Sequence, residues 1–465
     1  IAIDYREMAP QAASKNMYLK SDGSVDKKAS RYGYSAVGVP GTVSGFALAH
    51  KKFGSLPWRV LVEPAITLAA NGIIVTDFMA NGLERRKETL GKWASTRAVF
   101  FRDGVPVKPG DRLVQKDLAW SLSEIARHGA SSFYDGEIAK RVVRAMRRNG
   151  GLITAEDLAA YRPVMREPVR GRYREVEVVS MPPPSSGGIH LIQMLNMVEA
   201  YDIRKMGPQS AASLHIMIEA MRRAFADRSK HLGDPAFWNV PIKGLISKKY
   251  AGTWRKTVDP NNATRSADVA PGIPRPYESP DTTHFTVADH SGNFVTNTYT
   301  LNFSYGSRVV ADGTGILLNN EMDDFSAKPG APNAFGLVGG AANAIEPLKR
   351  PLSSMTPLIL FKDGKPWLAS GGPGGSRIIT NMLQLVVNIV DHGMNIAEAT
   401  VAPRVHHQWL PDTVRVEETL SVDTTRLLLG LGHRLKVGNA MGSTQSVMRT
   451  GKGYYGFSDP RRPGA

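Results

Sequence analysis

The chain has 465 residues, 42% hydrophobic, 8% aromatic and 22% charged, a balance that excludes a disordered polymer and predicts a large buried core. No window offers the ~18 uninterrupted apolar residues of a membrane-spanning helix, and the absence of cysteine excludes disulfides, thiolate catalysis and Cys-ligated metal sites. The net charge of +16 resides mostly in residues 1–281. Its densest run (Lys140, Arg141, Arg144, Arg147, Arg148) forms the solvated side of a helix and lacks the interleaved aromatics of a nucleic-acid surface.

In chain order, the opening Ile1-Ala2-Ile3-Asp4 has neither an initiator Met nor the regions of a secretion signal, so an upstream segment is expected. Apolar periodicity predicts helices near residues 113–127, 136–148, 154–160 and 210–230. A short strand is expected over Glu175–Met181, followed by a non-helical turn at Pro182-Pro183-Pro184-Ser185-Ser186-Gly187-Gly188. From Trp254 to Asp281 the composition shifts to Pro, Asn, Ser, Thr and Arg, which predicts an exposed, mobile segment and a boundary. Beyond it the chain reads as β-rich, with strands over Thr283–Ala288, Phe294–Leu301, Thr356–Phe361 and Trp367–Ser370 and helices over Arg377–Val390 and Thr424–Gly430.

Asp289-His290-Ser291-Gly292-Asn293 reads as a five-residue hairpin loop centred on Ser291, a register that sets Thr282 opposite Thr300. Directly opposed side chains have Cβ atoms ~5 Å apart, so the two hydroxyls can hydrogen-bond, although Thr–Thr pairs are also ordinary in sheets. A threonine hydroxyl becomes nucleophilic when a base takes its proton, and a free α-amino group on the same residue is one such base. That requires a chain break between Asp281 and Thr282. Downstream, Leu318–Ser326 packs Glu321, Asp323 and Asp324 together, a cluster suited to a helix cap, a cation, a substrate ammonium or a solvated turn. Ser370–Ser376 is a glycine-rich strand-to-helix connection whose N–H groups can converge on a phosphate or an oxyanion.

These pieces lie in an ordered series: Arg6–Pro10, Pro40–Gly45, Gly150–Thr154, Met181–His190, Thr282–His284, Thr298–Asn302, Leu318–Ser326, Arg350–Met355, Gly371–Arg377 and Met441–Ser446. The series closely resembles the gamma-glutamyltransferase family, in particular its bacterial members, over nearly the whole chain. The resemblance implies an α+β, four-layer αββα sandwich of the N-terminal-nucleophile class, one globule of two chains (1–281 and 282–465) made by autocatalytic cleavage. It implies Thr282 as nucleophile, positioned by Thr300. Arg6, Ser353 and Ser354 would bind the substrate carboxylate, Asn302, Glu321 and Asp324 its ammonium, and Gly374 and Gly375 would form the oxyanion hole. Phe335 falls in a lid, Pro329–Gly340, where several relatives carry tyrosine.

The implied donors are glutathione and other γ-glutamyl compounds, the acceptors water, amino acids or peptides. No cofactor or metal is implied, and the implied location is periplasmic or secreted. Two alternatives stand beside this reading: a glutaryl or cephalosporin acylase of the same fold, and an unprocessed binding protein.

Overall fold

The computed structural model describes residues 1–274 and 285–462. Its centre is a six-stranded antiparallel sheet built from β1 (Val169–Tyr173), β2 (Val176–Ser180), β5 (Leu358–Lys362), β6 (Lys365–Gly371), β7 (Gln445–Thr450) and β8 (Gly453–Ser458), in the order β8-β7-β6-β5-β2-β1. Strands from both sides of residue 281 therefore share one sheet, joined at the β2–β5 ladder where Ser180 faces Leu358 and Val178 faces Leu360.

Against this sheet lies a hairpin, β3 (Phe285–Ala288) and β4 (Phe294–Asn297). Its pairs run from Phe294 opposite Ala288 to Asn297 opposite Phe285, the register centred on Ser291 that the loop predicts. Asp289 and Asn293 close the loop: the Asp289 N–H donates to the Asn293 carbonyl at 3.1 Å and the Asn293 amide to the Asp289 carboxylate at 2.8 Å. Side chains alternate across a strand. Thr286 and Thr296 accordingly point at the large sheet, donating to the carbonyls of Gln445 (3.2 Å) and Ser370 (3.3 Å).

The opposite face of the hairpin borders a cavity of about 830 Å³, with helix α1 (Thr42–Phe53) contributing Gly45, Phe46, Ala49 and Phe53 to its wall. On the far side of the six-stranded sheet pack α2 (Gly187–Val198) and α4 (Arg377–Val390), with α3 (Ala211–His231) against α2. The succession of helices, sheet, hairpin and helix agrees with the expected αββα arrangement.

The helices expected near 113–127, 136–148, 154–160 and 210–230 are found at Lys116–His128, Glu137–Arg148, Ala155–Ala160 and α3. The helix over Arg377–Val390 is α4 itself, and the last expected helix begins slightly earlier, at Val422. No periodicity announced α2, because all of its residues are buried and a helix enclosed on every side has no polar stripe.

One expectation is corrected. The turn at Pro182–Gly188 does not keep its glycines: Gly187 and Gly188 open α2, where a Cβ would stand 2.1 Å from the Met355 carbonyl oxygen and 2.3 Å from that of Met181. The stretch from Trp254 to residue 274 is largely exposed, as expected, but it is pinned to the body of the protein. Ser266 and Val269 are buried, their carbonyls accept from the Trp409 indole at 3.0 and 2.9 Å, and the Gly272 N–H donates to Asp227 at 2.7 Å. The remainder of that segment, together with the strand start at Thr283, lies outside the described residues.

Helix propensity alone favours alanine over glycine inside a helix by about 1 kcal/mol. At Gly187 the approaching carbonyl reverses the sign, and Gly187→Ala is expected to lower stability by about 1–3 kcal/mol, read as a lower urea midpoint at unchanged m.

Candidate functional site

The strand Ala2–Asp4, paired with Val164–Arg166, delivers Arg6 into the interior. Asp4 anchors the turn that follows, accepting from the Arg6 N–H at 2.9 Å and from the side chains of Arg166 and Arg350, both at 2.9 Å. The Arg6 side chain is almost fully buried. Among the described residues its Nη1 lies 2.6 Å from Glu321 Oε2 and its Nη2 lies 2.6 Å from Asp324 Oδ2, while Nε donates to the Pro351 carbonyl at 3.2 Å.

The acidic cluster that the sequence left open is thus a buried 3₁₀ turn, Glu321–Asp324, divided by function. Glu321 and Asp324 turn to Arg6. Asp323 turns away, accepting from Ser30 Oγ at 2.6 Å and from the Ala334 N–H at 3.2 Å. Burial raises the carboxyls of Asp324 and Glu7, in each case against the opposing pull of Arg6. Asp323 is likewise pushed up by burial, to about 6.

Arg228, which no motif singled out, is a second buried cation. Its Nε donates to Ser186 Oγ at 2.8 Å and its Nη2 to Ser354 Oγ at 3.0 Å, and burial lowers it to about 10. Ser353 Oγ accepts from the Met355 N–H at 3.1 Å, and the Ser353 carbonyl accepts from the Ser186 N–H and hydroxyl. The paired serines are therefore held on the start of α2, a short step from the Pro351 carbonyl that anchors Arg6.

Asn302 adopts φ +70°, donates its side-chain amide to the Asn320 carbonyl at 3.0 Å and its N–H to Thr300 Oγ1 at 2.8 Å. The first bond ties Asn302 to the residue preceding Glu321, and the second holds the Thr300 hydroxyl against the Asn302 backbone. Thr300, Arg6, Glu7 and Met355 all line the large cavity, so Thr300 and Arg6 open onto common space.

Gly374 and Gly375 lie at φ +150° and +60°, values that favour glycine, immediately before α4. A Cβ on Gly375 would stand 2.7 Å from Cδ1 of Phe335, so the lid ring lies directly on this glycine. The same ring meets Phe303 edge-on at 5.6 Å, which links the glycine turn to the Asn302 segment. Asp281 and Thr282, the expected cleavage site and nucleophile, lie outside the described residues.

Among the described residues one group has metal-ligand chemistry: His215, Glu219 and His433 bring their ligand atoms within 4.8 Å of one another. Glu219 is already paired with Arg222 at 3.3 Å and Arg223 at 2.5 Å, two guanidiniums that would repel a cation.

The family model described as "Gamma-glutamyltranspeptidase" matches residues 1–465. The glutathione hydrolase proenzyme of Escherichia coli (strain K12) is 53% identical over 462 residues, covering 99% of this chain and 80% of the relative. The Acylase ACY 1 proenzyme of Pseudomonas sp. (strain SE83) is 38% identical, covering 94% of this chain and 76% of the relative. Among solved structures, the cephalosporin acylase from Bacillus halodurans superposes with a TM-score of 0.88 at 29% identity, covering 99% of this chain and 83% of that one. The gamma-glutamyltranspeptidase of Helicobacter pylori gives a TM-score of 0.57 at 44% identity over 58% of this chain and 78% of that one.

Removing one partner from a buried ion pair leaves uncompensated charge and costs about 3–5 kcal/mol. Arg6→Met removes the guanidinium paired with Glu321 and Asp324 and is expected to lower the denaturation free energy by about that amount, measured in urea at neutral pH. A loss below about 1 kcal/mol would mean that the ion pairs are dispensable.

Proposed function

The chain belongs to the gamma-glutamyltranspeptidase family, and on that premise we propose that it transfers the γ-glutamyl group of glutathione and related compounds to water or to the amine of an amino acid or peptide. The observation that carries this reading is the buried cluster of one guanidinium and two carboxylates, Arg6 with Glu321 and Asp324. An α-amino acid head group presents one carboxylate and one ammonium. A cation flanked by anions is its complement, because each substrate charge can replace an internal partner without leaving another charge unpaired.

In this reading Arg6, with the hydroxyls of Ser353 and Ser354, takes the α-carboxylate. Asn302, Glu321 and Asp324 take the α-ammonium. Thr282 Oγ1 attacks the γ-carbonyl carbon while its own α-amine accepts the hydroxyl proton. The carbonyl oxygen acquires negative charge and is received by the N–H groups of Gly374 and Gly375. The C–N bond then breaks, the leaving amine takes the proton, and a γ-glutamyl ester remains on Thr282. Water or an acceptor amine attacks that ester, releasing glutamate or a new γ-glutamyl amide and restoring the threonine.

The α-amine of Thr282 becomes free only after the bond from Asp281 is cut, so the active species consists of two chains that divide between residues 281 and 282. The β2–β5 ladder supports their staying together, since it joins strands from the two portions. The proposed location is the periplasm or the medium. No helix among the described residues is long and apolar enough to cross a membrane.

The second reading, a glutaryl or cephalosporin acylase, draws on the fold shared with the Bacillus halodurans enzyme. A glutaryl group has no α-ammonium, which would leave Glu321 and Asp324 without a substrate partner. Release of p-nitroaniline should accordingly be faster from the γ-glutamyl anilide than from the glutaryl anilide, and the opposite order would favour the acylase. The purified protein should give two fragments meeting at Asp281 and Thr282 by mass spectrometry. Thr282→Ala should remain a single chain and lose turnover by several orders of magnitude; cleavage of this variant at the same bond would assign the nucleophile elsewhere.

A further inference from the structure

The lid ring of Phe335 covers Gly375, yet most hydrogen bonds inside the lid are local: Asn333 Oδ1 accepts from the N–H groups of Phe335 and Leu337 at 3.0 and 3.1 Å. A ring held only by its own loop would swing with that loop. Among the described residues the Ala334 N–H ties the neighbouring backbone to Asp323 at 3.2 Å, and Phe335 itself is tied to the rigid body by Gln408 Nε2, which donates to its carbonyl at 3.1 Å.

Gln408 follows the strand Val405–His406, which is paired with Val414–Glu417 and clamped to α4 by a reciprocal pair of bonds between Gln384 and the Val405 backbone at 2.8 and 2.9 Å. The other end of the Gln408 amide is equally constrained. Its Oε1 accepts from Ser376 Oγ at 2.8 Å and lies 3.0 Å from His406 Nε2. His406 is fully buried, which lowers its pKa to about 3 and leaves the ring with one proton. Thr380 Oγ1, which donates to the Arg377 carbonyl at 3.0 Å, lies 2.9 Å from its Nδ1. Gln408 Nε2 faces two carbonyl oxygens, that of Phe335 and that of Leu410 at 3.4 Å, which fixes this end of the amide as its NH₂.

We propose that Gln408 is the latch of the lid, a positioning residue that holds Phe335 over Gly375 and so sets how long the site stays closed on a bound γ-glutamyl group. The latch is continuous with the candidate oxyanion turn, because Ser376, which orients Gln408, is the residue after Gly375. A looser lid releases the donor sooner and admits water to the acyl-enzyme, so donor affinity and the partition between hydrolysis and aminolysis should change together. This inference rests on the function proposed above for its kinetic consequence, although the latch itself is a property of the fold.

Gln408→Glu and Gln408→Leu test it in the full-length protein. Ionised glutamate keeps the size of the side chain and can accept from Ser376, but it cannot donate to the Phe335 carbonyl. Leucine removes both ends of the connection. The expected result for both is a KM for γ-glutamyl-p-nitroanilide raised about five-fold, the scale of one hydrogen bond, with kcat within about two-fold and a higher ratio of hydrolysis to transpeptidation.

Amide hydrogen exchange in residues 329–340 should quicken by a similar factor, while exchange in the β3–β4 hairpin stays unchanged. Parental KM and exchange in Gln408→Glu would overturn the latch, as would a fall in kcat at constant KM. Ser376→Ala, which removes an orienting donor, should move both readouts in the same direction and serves if either Gln408 variant fails to fold; parental values in it would also overturn the latch. Failure of the parent to turn over γ-glutamyl substrates would refute the proposed function alone, because the exchange comparison still reads the latch.

Discussion

A guanidinium buried as deeply as that of Arg6 persists only beside negative charge, and much of this molecule is arranged to keep that charge in place. The strand Ala2–Asp4 fixes the backbone before it. Asp4 in turn gathers Arg166 and Arg350, and Arg350 also donates to the Arg6 carbonyl at 3.0 Å. From the other direction, the 3₁₀ turn brings Glu321 and Asp324 from more than three hundred residues away. Segments remote in sequence converge because each carries a charge that the interior cannot hold alone.

A second consequence concerns the neighbours of that cluster. Buried carboxyls have raised pKa values unless cations oppose the shift, and Asp324 has both Arg6 and Arg228 within electrostatic reach. Arg228 also donates to Ser186 and Ser354, so one side chain connects the charge cluster to the start of α2. Gly187 and Gly188 let the Met355 and Met181 carbonyls close on the start of that helix, since a Cβ at either position would meet backbone oxygen. The geometry around the paired serines is therefore set by close backbone contact as much as by charge.

What could be read from the sequence follows the range of the interactions involved. The hairpin register was legible because side chains alternate with period two and a symmetrical five-residue loop leaves one centre, Ser291. Helix α4 was legible from its apolar run and the glycine-rich turn before it. Helix α2 was not, being buried on all faces and opened by two glycines. The anchoring of the largely exposed 254–274 stretch at Ser266 and Val269 was not legible, because what holds it, carbonyls accepting from the Trp409 indole, leaves no trace in residue types. Arg228 and Gln408 belong to the same class: an arginine on a helix and a glutamine after a short strand look ordinary until the chain brings their partners together. Motif resemblance supplied Arg6, Glu321 and Asp324 as a set, but not the direct contact between them.

The interleaving of the central sheet bears on how this protein would behave once its chain is divided. With β1 and β2 from one portion and β5 to β8 from the other, neither piece retains a complete sheet: β2 would lose its partner β5, and β5 would expose an open edge. Separation would uncover apolar strand faces on both pieces, so the divided molecule would resist dissociation under native conditions. Complete denaturation is another matter. Recovery would then require two chains to meet, and its rate would depend on protein concentration, whereas the undivided precursor folds as a single molecule. A cut in the backbone would leave the native form nearly unchanged while making its loss hard to reverse.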